Sequence, residues 1–160
     1  ICAIMFPNPS PAILMMSPSI PLIYQGDDFG MDGGGDPDNR RMMRFKEVNE
    51  QGQVIKDELS DDEEITLNQF KKLGVFRAEH KAARRGTRST CGVGQHFWIY
   101  KLAIDNDVVI VGVNKGNSES SATCSGASGN FKNAFTGATS SVSGNISVPA
   151  NSVVVLGKVN

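Results

Sequence analysis

Five aspartates, Asp27, Asp28, Asp32, Asp36 and Asp38, and two arginines, Arg40 and Arg41, fall within one short stretch that also carries Gly26, Gly30, Gly33, Gly34 and Gly35. Clustered carboxylates serve acid–base and nucleophilic chemistry only where their surroundings drive the pKa values apart, and nothing in this stretch supplies such surroundings. The glycines and the Asp36-Pro37 pair give it the turn chemistry of a loop. Loops set by rigid elements carry function disproportionately; the plain alternative is a solvated connection that its acids keep soluble. Asp32-x-x-x-Asp36-x-Asp38 looks like calcium spacing, but position twelve of the loop would be Met43, so the calcium-loop pattern fails.

Two histidines and an aromatic run are the other groups capable of chemistry. His80 sits in a helical pattern and reads as a buried, hydrogen-bonded structural residue rather than a base. His96-Phe97-Trp98-Ile99-Tyr100 alternates, which directs at least half of its apolar rings into a core. Cys2, Cys91 and Cys124 lack a C-x-x-C pair, so zinc is excluded as a reading. Cys91 and Cys124 lie in strand-like sequence and form either one disulfide, implying an oxidising compartment, or two half-buried thiols.

The elements that must position these residues are legible in outline. Ala12-Ile-Leu-Met-Met16 is confined by Pro11 and Pro18 to about two helical turns. Ile20-Pro-Leu-Ile-Tyr24 is a short apolar run that fits a strand buried on both faces of a parallel sheet, with Pro21 tolerable only near its start. Residues 25–41 are the loop. Ser60-Asp-Asp-Glu63 fits a capping box, and Leu67, Phe70, Leu73 and Phe76, with Gly74 and Ala78 on the same side, predict an amphipathic helix of about twenty residues. Acids at its start and Lys81, Arg84 and Arg85 at its end suit the helix dipole, and Gly86 serves as a C-cap. Beyond Gly86 the composition turns to Gly, Ser, Thr, Asn and Val. Strand-like runs at 87–92, 97–104, 108–114, 120–124, 142–148 and 152–156 predict an antiparallel sandwich or small barrel. The domain boundary therefore falls near residue 86.

Composition narrows the class. The chain has 160 residues, and 16 basic against 17 acidic residues leave no field to steer nucleic acid or an anionic membrane. No apolar run reaches the twenty or so residues of a bilayer span. The opening Ile1-Cys-Ala-Ile-Met-Phe6 lacks a basic flank and is followed by prolines, so it is not a signal peptide pattern. A chain beginning at Ile1 reads as a fragment or a processed product.

Residues 17–45 resemble the eighth barrel strand and following loop of the α-amylase family of glycoside hydrolases. The resemblance is carried by Ile20-Pro21, by Tyr24-Gln25-Gly26-Asp27-Asp28 and by Asp36-Pro37-Asp38-Asn39-Arg40-Arg41. Phe76-Arg77-Ala78-Glu79-His80-Lys81-Ala82-Ala83-Arg84-Arg85-Gly86 is similar to the family's last barrel helix, and the β-rich remainder stands where that family carries its C-terminal antiparallel domain. Two departures stand out. Asp28 occupies a position usually filled by Glu, and residues 1–12 do not resemble the helix that normally leads into this strand.

The resemblance implies an α/β barrel fragment, the last β/α unit of a TIM barrel, over 1–86, followed by an all-β antiparallel sandwich domain over 87–160. It implies an enzyme that cleaves α-1,4 bonds of starch-like glucans with retention. The catalytic carboxylates of that family come from the fourth, fifth and seventh strands, which this chain does not contain, so no catalytic residue is expected here and the segment alone should be inactive. Asp36 and Arg40 are expected to bind sugar; paired with each other, they would instead hold the loop. Phe97, Trp98 and Tyr100 could stack on sugars, though core packing is the preferred expectation. The expected partners are an α-glucan, starch or a maltooligosaccharide, and the remaining barrel segments, covalent or from another chain. No cofactor is expected in this segment, with Ca2+ possible in the complete enzyme, and an extracellular or secreted location is implied. The competing class is a non-catalytic carbohydrate-binding or structural β-sandwich module.

Overall fold

A computed structural model describes residues 4–5, 9–57 and 59–159; Cys2 and most of the opening apolar run lie outside the described residues. The chain forms two compact units, Ile1–Pro21 with Lys72–Asn160, and Leu22–Lys71.

The first unit is built on one antiparallel sheet. Its strands are β1 (Ile4–Met5), β4 (Thr87–Val93), β5 (Phe97–Ile104), β6 (Asp107–Asn114), β7 (Ser120–Asn133), β8 (Thr139–Val148) and β9 (Ser152–Lys158), while β2 (Lys46–Val48) and β3 (Val54–Asp57) form a hairpin in the second unit. The sheet order is β4-β5-β6-β9-β7-β8, with β1 added to β9. Although β4 and β7 stand apart in that order, the Cys91–Cys124 disulfide joins them with Cα atoms 4.8 Å apart, so the sheet curls until β4 meets β7. The open choice between bridge and thiols resolves as a bridge.

Alternation explains how the central strands of the curled sheet bury both faces. Ile99, Ile110, Val154 and Leu156 point inward with Phe131, Val142, Ile146 and Val148 to form the core of the curl. The register pairs Tyr100 with Val111 and Val111 with Val155, which puts these residues on the opposite face, and they too are buried. Period-2 side chains make that division automatic. On this second face Tyr100 Oη donates to the Met16 carbonyl at 3.5 Å, and burial pushes its phenol up from its ordinary value. The strand β7 runs nine residues beyond the expected Cys124, through a register shift between Thr123 and Ser128 where Gly126 adopts positive φ. Its glycines and serines hid that continuation, because they resemble turn residues.

The helices follow their sequence signals closely. α1 (Ser10–Met15) is short, as its flanking prolines require. α2 (Asp61–Glu79) begins at the expected capping box, where the Ser60 N–H donates to Glu63 Oε2 at 2.8 Å and the Glu63 N–H donates back to Ser60 Oγ at 3.4 Å. The Ser60 N–H, before other groups, holds the Glu63 carboxyl below its ordinary range. Phe70, Leu73 and Phe76 are buried as the stripe predicts, but Ala78 is exposed and Arg77 is buried in its place. The single helix expected to run to Gly86 breaks at His80, which is extended, and resumes as α3 (Lys81–Arg85). Asp107 causes the break: it binds His80 Nδ1 at 2.7 Å with one oxygen and caps the Ala82 N–H at 2.8 Å with the other.

Gly86 is not a left-handed cap. Its φ is −70°, and glycine is required because a Cβ there would lie 2.5 Å from the Ala82 carbonyl oxygen and 3.0 Å from the Ala103 nitrogen. Close approach, rather than conformational freedom, selects it.

The expected buried strand Ile20-Pro-Leu-Ile-Tyr24 is also corrected. These residues are in no strand, and Ile20 and Leu22 are 96% and 81% exposed. Every strand pair among the described residues is antiparallel, so a parallel-sheet strand finds no neighbour to accept its hydrogen bonds. The strand expected of a last β/α unit is therefore not formed.

Arg77 organises the approach to this stretch. Only 9% exposed, it donates through Nη1 to the carbonyls of Met15 (2.6 Å), Ser17 (2.9 Å) and Ala83 (2.6 Å), and through Nη2 to that of Ser19. One cation thus satisfies the end of α1, the turn after it and α3. Burial pulls its pKa down, yet these acceptors keep the guanidinium paired. Replacing Arg77 with Met strands buried carbonyls at a cost of about 1–3 kcal/mol each. Thermal unfolding of Arg77→Met should show Tm lower by about 10 °C, with Arg77→Lys recovering only part; a change below about 2 °C would contradict this role.

Candidate functional site

The acid-rich loop lies wholly in the second unit. Tyr24 opens it: its N–H donates to Asp27 Oδ2 at 3.0 Å and its carbonyl accepts the Asp27 N–H at 3.0 Å, which commits Asp27 to its own turn. Phe29 is the apolar anchor at 2% exposure, with the Arg44 guanidinium 5.8 Å from its ring centroid. Arg44 also pairs with Glu63, linking the loop's exit to the start of α2. Gln25 Nε2 donates to the Arg41 carbonyl at 2.6 Å, so the two ends of the loop are tied side by side. Buried Phe29 and these polar ties are what a compact surface loop uses in place of a ladder.

Within the loop a 3₁₀ turn, Asp38–Arg40, brings the remaining acids and arginines together. Asp36 Oδ1 and Arg40 Nη2 are 3.2 Å apart, each side chain 67% exposed. Asp38 is bound more closely: Arg41 donates Nε to its Oδ1 at 2.8 Å and Nη2 to its Oδ2 at 2.7 Å, and the Gly34 N–H donates to Oδ2 at 2.8 Å. The Arg41 hydrogen bonds first, then the Gly34 amide, hold the Asp38 carboxyl down to about 2. Bidentate guanidinium pairing is the strong form of this contact.

The structure thus brings Asp36 and Arg40 together at the surface and leaves both accessible. The hairpin of β2 and β3 that follows was not legible, because residues 46–57 carry no Asn-Gly or Asp-Gly pair; instead Asn49 Oδ1 accepts the N–H of Gln51 at 3.1 Å and of Gln53 at 2.8 Å. The sequence assigns Asp38 no partner of its own. Its position four residues from Gly34 and three from Arg41 was the available signal.

The other sequence candidates resolve as structural. His80 is held by Asp107 and packs where a Cβ on Gly157 would stand. Ile99 and Tyr100 are buried, whereas Phe97 and Trp98 are half-buried. Trp98 lies 4.4 Å from the Tyr100 ring, and its Nε1 donates to Thr90 Oγ1 at 3.4 Å with the Arg88 guanidinium 5.2 Å away. Phe97 and Trp98 border a shallow cleft of about 350 Å³ that includes His96, Lys115 and Val113 but no carboxylate. Among the described residues no three of His, Cys, Asp and Glu gather as a metal would require, and no helix is long and apolar enough to cross a membrane.

No family model matches the chain. It is 31% identical over 108 residues to a cyclomaltodextrin glucanotransferase of Geobacillus stearothermophilus, covering 67% of this chain and 13% of that protein. It is 30% identical over 123 residues to a beta/alpha-amylase of Paenibacillus polymyxa, covering 77% of this chain and 9% of that protein. The chain therefore spans about a tenth of the length of these relatives. Among solved structures, an α-amylase of Geobacillus thermoleovorans complexed with acarbose superposes with a TM-score of 0.71 at 19% identity, covering 94% of this chain and 33% of the other.

The Gly34 amide should report the Asp38 carboxyl directly. A carboxyl whose pKa is depressed from 3.8 to about 2 supports the loop above 3.8 and releases it as pH falls through about 2. The Gly34 amide proton shift should titrate with a midpoint near 2 and lose that titration in Asp38→Asn. A midpoint at the ordinary carboxylate value would contradict the contact.

Proposed function

The chain belongs to the α-amylase family of glycoside hydrolases, whose C-terminal part it matches, and on that footing we propose that it is the closing segment of an enzyme acting on α-1,4-linked glucans. Residues 1–86 complete a (β/α)8 barrel as its last β/α unit, and residues 87–160 are the C-terminal antiparallel domain. The loop supplies one wall of the sugar cleft. The reacting carboxylates come from strands outside this segment, and the exposed Asp36–Arg40 pair is the observation that carries this role.

An exposed ion pair contributes only about 0–1 kcal/mol, so Asp36 and Arg40 do little to hold the loop and a ligand opens them at small cost. Asp36 accepts from sugar hydroxyls and Arg40 donates to sugar oxygens, each charge-assisted bond being worth about 1.5–3 kcal/mol. The loop acids are poor catalysts by the same geometry. Retention needs a nucleophile and an acid roughly 5 Å apart, the acid with a raised pKa. Asp38 moves the opposite way, Asp27 closes its own turn, and Asp36 faces a cation. The isolated segment is therefore catalytically silent.

The names of the relatives include both glucanotransferases and amylases, so hydrolysis and transglycosylation are both within reach of the complete enzyme. Solved neighbours carrying maltose, maltotriose and acarbose support a maltooligosaccharide as ligand. The Cys91–Cys124 bridge supports an oxidising, secreted setting. Ca2+, where the complete enzyme holds it, does not take Asp38, whose two oxygens already accept the Arg41 fork and the Gly34 N–H.

Two measurements test the proposal. The purified 160-residue chain should release no reducing sugar from starch, and hydrolysis by it would overturn the assignment of chemistry to other strands; retention on starch without activity would favour a binding module. In the complete enzyme Arg40→Ala should raise KM for maltooligosaccharides about tenfold or more with Tm almost unchanged. Lower Tm with unchanged KM would return Arg40 to a purely structural role.

A further inference from the structure

We infer that Asp38 is a positioning residue that sets the geometry of the Asp36–Arg40 pair by clamping the loop on both sides of it; the inference rests on the sugar-binding role proposed for that pair. Asp36 and Arg40 are two-thirds exposed and joined by a single 3.2 Å contact, which is too weak to fix the long Arg40 side chain against water. The firm contacts nearby all converge on Asp38, which lies midway between them in sequence.

Both carboxylate oxygens are engaged. Oδ2 accepts the Gly34 N–H before Asp36, and the two oxygens together take the Arg41 fork after Arg40. The loop backbone is built to allow this. A Cβ on Gly34 would stand 3.1 Å from Asp38 Oδ2, and one on Gly33 would stand 3.0 Å from the Asn39 Cα. Side chains at either position would push the backbone off the carboxylate. The Arg41 carbonyl is itself held by Gln25 Nε2, so the clamp is fastened to the loop's entrance. Between these fixed points the chain makes one 3₁₀ turn, with the Arg40 N–H donating to the Pro37 carbonyl at 3.0 Å.

Removing the Asp38 charge has two consequences for the pair. The Gly34 amide loses its acceptor, so the segment before Asp36 loosens. The Arg41 guanidinium loses its carboxylate and becomes a second cation competing with Arg40 for Asp36. Either change misplaces sugar-binding groups without touching the reacting carboxylates, so it should appear in KM rather than kcat.

Steady-state kinetics of the complete enzyme on maltooligosaccharides, with thermal melts alongside, test this on Asp38→Asn, Arg41→Gln, the double variant and Arg40→Ala. The expected result is a five- to tenfold rise in KM for each clamp variant, kcat within twofold of wild type and Tm within about 2 °C. The double variant should be no worse than the more severe single one, because the two residues act as a unit. If Arg40→Ala raises KM but neither Asp38→Asn nor Arg41→Gln does, the positioning role is overturned while the sugar-binding proposal stands. If Arg40→Ala also leaves KM unchanged, the binding proposal fails and takes this one with it. A drop in Tm of the clamp variants with KM unchanged assigns them a structural role alone and overturns the inference.

Discussion

A strand is stable only when a neighbour accepts its backbone hydrogen bonds, and that requirement divides this chain into what it completes itself and what it leaves open. Antiparallel strands can find their partners within the chain, in hairpins such as β4-β5-β6 and β7-β8 and across the longer β6–β9 and β7–β9 pairs, so β4 to β9 close into a curled sheet whose strands β6 and β9 are buried on both faces. A strand of a parallel sheet must receive its partners through crossover connections. Ile20 to Tyr24 has the apolar sequence of such a strand and stands in solvent without one.

Polar groups are used differently on either side of that division. In the first unit, buried polar side chains serve packing: Arg77 gathers carbonyls from three segments, and Asp107 turns the helix at His80 and restarts it at Ala82. In the loop the same residue types stay at the surface and are arranged as donor–acceptor pairs. The cluster of acids holds, in geometry, one firmly bound carboxylate, Asp38, and one exposed pair, Asp36 and Arg40. The direction of the Asp38 shift matters more than its size, since a general acid must hold its proton and Asp38 gives it up.

Much of this was legible from residue order, and the remainder was hidden for identifiable reasons. The capping box at Ser60 and Glu63, the proline-limited helix at Ala12 to Met16 and most β-strand positions follow from local rules, and each is found in place. Local rules failed where a distant residue decides. Gly86 looked like a cap, but the approach of Ala82 and Ala103 selects it; His80 looked helical, but Asp107 draws it out. The burial of Arg77 was not legible, because nothing nearby in sequence announces four carbonyl acceptors. The expected strand Ile20 to Tyr24 is overturned because an apolar run alone does not make a strand: no described strand pairs with it, and Ile20 and Leu22 stand exposed. In the loop, Asp36 and Arg40 are singled out by family resemblance and their pairing is what the structure adds, whereas Asp38 had only its three- and four-residue spacing to Arg41 and Gly34 as a cue.

Backbone amide hydrogen exchange over residues 20–24 tests the central claim most directly, comparing the 160-residue chain with the complete protein that carries it. The amides of Ile20, Leu22, Ile23 and Tyr24 should exchange at nearly the rate of an unstructured peptide in the isolated chain. In the complete protein they should be protected to the level of its core strands, because neighbours then supply the ladder. Equal, rapid exchange in both would contradict the assignment of this stretch as the last strand of a barrel.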